Sequence, residues 1–187
     1  MLLLAGCATT PESRTPDLRE RLLSMRTRDQ QARQQLFAGG KMPTEEEAAK
    51  LLEVDRVHSE ALLAILDELG HWPGRSLVGE DGAEAAWLLA QHADHHPTLQ
   101  EQALPLLEAA VSAGEADPVH LAYLQDRVLV RRGLPQRYGT QSVVEDGRVR
   151  LHPIEDEAEV GARRAALGLP PLEIYLRQLE EMVGGGR

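Results

Sequence analysis

The chain has 187 residues, with 20 Lys plus Arg against 30 Asp plus Glu, for a formal net charge of −10. That length suits one domain with a short extension, and a 42% apolar content supplies a core and excludes global disorder. The negative balance excludes general nucleic-acid binding, which needs cations along the phosphates, and 3% aromatic residues are too few for a stacking platform.

In chain order, the first feature is an address. Leu4-Ala5-Gly6-Cys7 resembles a bacterial lipobox, where a signal is cut before a cysteine that is then lipidated. Small residues before the cut suit the peptidase, and Leu2 to Leu4 read as the end of an apolar signal core. Only six residues precede Cys7, fewer than the roughly 7–15 apolar residues of a working signal core. Residues 1–6 therefore read as a signal remnant and 7–16 as a polar tether. The expectation is a lipoprotein of the bacterial cell envelope, attached to the membrane through Cys7 and facing the periplasm or exterior. The competing reading is a cytosolic protein with a chance tetrapeptide. Cys7 is the single cysteine, so an internal disulfide is excluded.

Residues 17–183 read as one mainly α domain of six or seven helices with one small β-hairpin, and 184–187 as a loose tail. Asp17 to Phe37 is a polar helix with sparse apolar positions at Leu18, Leu22, Met25 and Leu36. Thr44-Glu45-Glu46-Glu47 is a capping-box pattern opening a long helix to about Leu69, where Gly70 terminates it. His71-Trp72-Pro73-Gly74 is a turn. Further helices are predicted over Ala83 to about His96 and Leu99 to Ala113, the latter kinked or broken at Pro105. Another starts at Asp117-Pro118 and ends near Gly133, and two shorter ones cover Glu157 to Leu167 and Pro171 to Val183. Between them, Ser142 to Glu145 and Arg148 to Leu151 flank Asp146-Gly147, the preferred pair for a two-residue hairpin turn.

Polar residues interrupt the apolar stripes. Asp55 and His58 share a face with Leu51, Leu62 and Ile65, so Asp55 needs a buried partner, whether an Arg, a His, a helix end or a metal. His92 and His96 are four residues apart on the predicted helix, a spacing that can chelate a metal. Two ligands do not make a site, so no metal and no cofactor are expected. Gln136-Arg137-Tyr138-Gly139-Thr140-Gln141 packs amides, a phenol, a guanidinium and a hydroxyl into one loop, suited either to hydrogen-bonding a ligand or to securing the hairpin. Arg163 and Arg164 are available to pair with a carboxylate inside.

The succession of His71-Trp72-Pro73-Gly74, Val78-Gly79, Gln91-His92-Ala93-Asp94, Leu124-Gln125-Asp126-Arg127, the 136–141 loop and Arg163-Arg164 before Gly168-Leu169 resembles an uncharacterised bacterial domain family of unknown function. The resemblance runs from about Leu18 to Tyr175 and departs at His71, where Gly is usual. It implies no activity, but it directs attention to His92, Asp126, Arg127, Tyr138 and Gln141.

The leading expectation is a helical domain that binds an envelope protein, peptide or glycan in a polar cleft. Arg127, Gln136, Tyr138, Gln141 and Arg163 would serve as binding residues beside Asp55, His92 and Asp126. The alternative is a hydrolase in which His92 works with Asp55 or Asp126 as an acid–base pair. A third reading makes the same polar groups a buried structural network.

Overall fold

The structure, a computed structural model, describes residues 15–37 and 43–184. Cys7, the signal remnant and the tether up to residue 14 lie outside the described residues, as do 185–187. The fold is a mainly α single domain, with seven α-helices and one two-stranded antiparallel hairpin among the described residues. None of the described helices is long and apolar enough to cross a membrane.

Helix α1 (Thr15–Phe37) packs chiefly against α3 and also along α2. Helix α2 (Glu45–Leu69) opens on the capping box: the Glu47 amide donates to Thr44 Oγ1 at 3.3 Å, and the Thr44 amide donates to Glu47 Oε2 at 2.8 Å. It closes at Gly70, whose φ of 68° is the left-handed conformation that glycine adopts without penalty.

Helix α3 (Arg75–Gln91) is broken at Gly79, whose φ of 74° is left-handed, so a short first turn over 75–78 precedes the helix expected from Ala83, and the helix ends earlier than expected. That first turn depends on help from elsewhere in the chain. Gly74, its N-cap residue, has no side chain to satisfy the first amides. Glu115 does this instead: its Oε2 accepts from the Ser76 amide at 2.8 Å, its Oε1 from the Ser76 hydroxyl at 2.6 Å, and its backbone carbonyl from the Arg75 amide at 2.9 Å. A side chain at position 74 would stand 2.7 Å from that carboxylate, so the turn requires glycine. Pro97 disfavours helical backbone at the residue before it. His96 is accordingly non-helical, and its Nδ1 accepts the Leu99 amide at 3.2 Å as the cap of the next helix.

That helix, α4 (Pro97–Ser112), runs through Pro105 without ending, contrary to a break there. Pro105 is solvent-exposed. Helix α5 (Pro118–Arg131) begins as expected, with Asp117 accepting the Val119 amide at 2.8 Å and proline in the first turn. Strands β1 (Ser142–Glu145) and β2 (Arg148–Leu151) pair through Asp146 and Gly147, both at positive φ as a tight hairpin turn demands. The predicted helix from Glu157 divides into a 3₁₀ turn over Glu157–Glu159 and α6 (Val160–Ala166). Helix α7 (Leu172–Gly184) packs on β2 and α6.

The core is aliphatic. Leu22 from α1, Leu62 and Leu66 from α2, Leu89 from α3, Leu99 and Leu107 from α4 and Leu124 from α5 are buried in one cluster. Small residues on α3 (Ala85, Ala86, Ala90) are buried with them, which allows α1 close to α3. Trp87 of α3 stacks on His120 of α5 with ring centroids 3.9 Å apart, an aromatic tie between those helices.

Candidate functional site

Three features carry chemistry: a polar cluster around Asp29, a second around Asp126, and an apolar cavity beside the His71–Gly74 turn.

Asp29 continues the stripe of Leu22 and Met25 on α1 and is 1% exposed. Two donors from its own helix reach it: Gln30 Nε2 at 2.8 Å and Arg33 Nε at 3.2 Å. A third comes from His92, at the C-terminal end of α3, whose Nδ1 lies 3.0 and 2.9 Å from the two carboxylate oxygens. Arg33 reaches on to α2, placing Nη2 2.7 Å from Asp55 Oδ1. One guanidinium thus serves two carboxylates, and the cluster ties α1, α2 and α3 together.

Proton placement follows from the donors. Arg33 Nε is also 3.0 Å from His92 Nδ1. An unprotonated Nδ1 would accept from Arg33 but aim its lone pair at the Asp29 carboxylate. A proton on Nδ1 gives Asp29 a donor and leaves Arg33 Nε its own bond to Asp29 Oδ1, so Nδ1–H satisfies every group. In the neutral imidazole Nε2 then carries the lone pair, and no hydrogen bond reaches it among the described residues. The His92 side chain is 22% exposed.

The two carboxyls respond differently to this setting. Burial pushes Asp29 up, but the hydrogen bond and charge of His92, then Arg33 and Gln30, outweigh it and hold the group below its ordinary value. Burial also pushes Asp55 up, and there it prevails: Arg33 opposes it while the nearby Asp29 reinforces it. His58, one turn further along α2, is buried with no hydrogen-bond partner for Nδ1 among the described residues, and burial lowers its pKa.

The second cluster is saturated. Asp126 is 0% exposed. Its Oδ1 accepts from the backbone amides of Arg137 at 2.7 Å and Tyr138 at 3.1 Å. Its Oδ2 accepts from the Thr140 amide at 3.0 Å and hydroxyl at 2.9 Å. No lone pair is left for a substrate.

The side chains of Gln136, Gln141, Arg163 and Arg164 and the backbone of Tyr138 are engaged too. Gln136 donates to the carbonyls of Gln141 and His152, both at 2.9 Å, and accepts the Gln141 amide at 2.8 Å. The Gln141 side chain donates to Thr140 Oγ1 at 3.1 Å, and Tyr138 offers its carbonyl to buried Arg164 at 2.6 Å. Arg163 donates to the carbonyls of Arg137 at 2.8 Å, Asp156 at 3.0 Å and Glu155. Arg164 adds Pro170 at 2.7 Å and stacks over Tyr175. This network fastens the hairpin, α6 and α7 to α5.

Several sequence expectations are corrected by these contacts. Asp55 and His92 meet in one cluster, while Asp126, Gln136, Tyr138, Gln141 and Arg163 belong to another, so the single polar cleft does not form. Asp126 pairs with backbone amides rather than with His92. Arg127 joins neither cluster: its Nη1 lies 2.7 Å from both oxygens of Asp94, securing the end of α3 to α5. His92 and His96 do not share a helical face, because α3 stops at Gln91. No group of three or more His, Cys, Asp or Glu is arranged to hold a metal among the described residues. Asp29 and Arg33 escaped the sequence reading, although Asp29 sits four residues after Met25, where the α1 stripe calls for an apolar side chain.

The cavity lies between the turn after α2, the start of α3 and the second half of α4, with a volume of about 390 Å³. Trp72, Leu77, Leu106, Ala109 and Ala110 line it, with His71, Ser76 and Glu115 among its polar residues. Trp72 is 3% exposed, and its indole N–H has no hydrogen-bond partner among the described residues, so packing alone holds the ring.

A family model described as "Family of unknown function (DUF6624)" matches residues 16–186. The chain belongs to this family. The DUF6624 match takes in α1 with Asp29, both polar clusters and the cavity. No curated protein and no solved structure matches the chain.

The unequal settings of the two carboxylates give a direct test. Asp29→Asn should cost about 3 kcal/mol at pH 7, as expected for breaking a buried ion pair. Because the folded pKa of Asp29 is depressed, that advantage is fully present above the unfolded value of about 3.9 and disappears as pH falls through the folded value. Asp55→Asn should cost under about 1 kcal/mol, since it relieves a charge that burial disfavours. Urea unfolding of both variants at pH 7 and pH 3 checks this, and equal losses at pH 7 contradict it.

Proposed function

We propose that this is a bacterial cell-envelope lipoprotein, anchored through a diacylglyceryl group on Cys7, whose helical domain binds a small aliphatic ligand in the cavity beside Trp72. The cavity carries the binding part of this reading. It has the size and wall chemistry typical of small-molecule sites, apolar with a few polar groups at fixed positions. At about 30 Å³ per water-sized group, about 390 Å³ accommodates about a dozen heavy atoms. Alanines at 109, 110 and 113 leave the α4 side open, and the absence of a broad aromatic floor favours an alkyl chain over a sugar ring. The carboxylate of Glu115 is committed to capping α3, and the hydrogen bonds from Ser76 hold its pKa below the ordinary value. It therefore adds a fixed negative charge near the cavity, which favours neutral ligands over anionic ones.

The lipid anchor rests on Leu4-Ala5-Gly6-Cys7. Mass spectrometry of the membrane fraction should recover a peptide beginning at diacylglyceryl-Cys7. A soluble product with an unmodified Cys7 contradicts the anchor.

The cavity has its own test. The chain has two tryptophans, so in a Trp87→Phe background Trp72 alone reports by fluorescence. Titration with 1-butanol to 1-octanol should give saturable changes, with affinity rising about fourfold per methylene at about 0.8 kcal/mol each. Ala109→Phe, at an exposed position on the cavity wall, should weaken binding at least tenfold. Non-saturable changes, or equal affinities in the Ala109→Phe protein, contradict the assignment.

A further inference from the structure

The Asp29 cluster lies apart from the cavity, and ligand binding there makes no use of it. We propose that His92 is the general base of a second, hydrolytic centre acting on uncharged carboxylic esters, with Asp29 as its positioning residue.

Asp29 is 1% exposed, and both its oxygens lie within 3.0 Å of His92 Nδ1. The Nδ1 edge is therefore turned inward, and the exposed part of a ring that is 22% accessible is the edge bearing Nε2. A buried carboxylate on one nitrogen and a free lone pair on the other is the arrangement that orients an imidazole for proton transfer. A purely structural clamp has no need for the outer nitrogen to stay accessible. Arg33 fixes the carboxylate in turn, through its 3.2 Å contact, and is itself held by Asp55.

The reaction needs only water as co-reactant. Nε2 takes a proton from a water molecule as the water oxygen bonds to the acyl carbon, and the carbonyl π pair moves onto its oxygen. When the carbonyl re-forms, the bond to the leaving oxygen breaks and that oxygen takes the proton from Nε2. The products are a carboxylic acid and an alcohol, with neutral imidazole restored. Charge selects the substrate class: Asp29, Asp55 and Arg33 together carry a formal −1, on a chain of net charge −10, so anionic esters are repelled. One group acting as both base and acid suits esters, whose leaving oxygen needs little assistance, better than amides.

The test uses the full chain with 4-nitrophenyl acetate, alongside His92→Gln, Asp29→Asn and His95→Gln, the last at a neighbouring exposed histidine. Wild-type turnover should rise with pH in step with the His92 titration followed by ¹⁵N NMR. Removing a positioned general base costs roughly 10²–10⁴-fold in the best cases; here His92→Gln should lose at least tenfold, Asp29→Asn should fall clearly, and His95→Gln should match wild type. Circular dichroism confirms that each variant is folded. Should Asp29→Asn fail to fold, the wild-type protein still decides: its neutral His92 should carry the proton on Nδ1 in the ¹⁵N spectrum. Equal rates for wild type and His92→Gln, an equal loss in His95→Gln, or a proton on Nε2 overturns the proposal.

Discussion

A carboxylate with almost no access to water must be met by donors or abandon its charge, and much of the bundle's geometry follows from how Asp29 meets that condition. Its donors come from Arg33 and Gln30 on its own helix and from His92 at the end of α3. Arg33 then requires a second carboxylate, which Asp55 supplies from α2. Four side chains thereby fix the mutual rotation of three helices. The leucine and alanine contacts between those helices contribute more burial but are indifferent to small rotations. The capping of α3 by Glu115 works in the same spirit, since a charge from one helix pair fixes where another helix begins.

Asp126 solves the same problem with the opposite consequence. Its donors are backbone amides of Arg137, Tyr138 and Thr140 and one hydroxyl. These are rigid and complete, so the loop becomes part of the scaffold. The donors of Asp29 are side chains, and one of them, His92, has a second nitrogen left over. Two buried carboxylates therefore produce one closed staple and one site with unused chemical capacity.

Much of the fold was legible because its signals are local. The Thr44–Glu47 box, Gly70, Asp117-Pro118 and Asp146-Gly147 each specify backbone geometry within a few residues. The short turn of α3 before Gly79 was not legible, because its cap is Glu115, 39 residues from Ser76. Pro105 misled because a proline on an exposed helix face is tolerated when the burial on the opposite face holds the helix together. Asp55 announced a need for a partner, but sequence spacing did not say that the partner was Arg33. Asp29 was hidden in a helix so polar that one more acidic residue carried no contrast. Asp126 and Gln141 stood out for their polarity, which is spent on the scaffold, as is the backbone of Tyr138.

Asp29 stands in the bundle as an ionised carboxylate, stabilised by His92 and Arg33 against its own burial. A titration of its side-chain carboxyl carbon by ¹³C NMR tests this directly. The midpoint should lie below the ordinary aspartate value of about 3.9 and move upward in His92→Gln. A midpoint at or above the ordinary value in the wild-type protein, or one unchanged by His92→Gln, would contradict it.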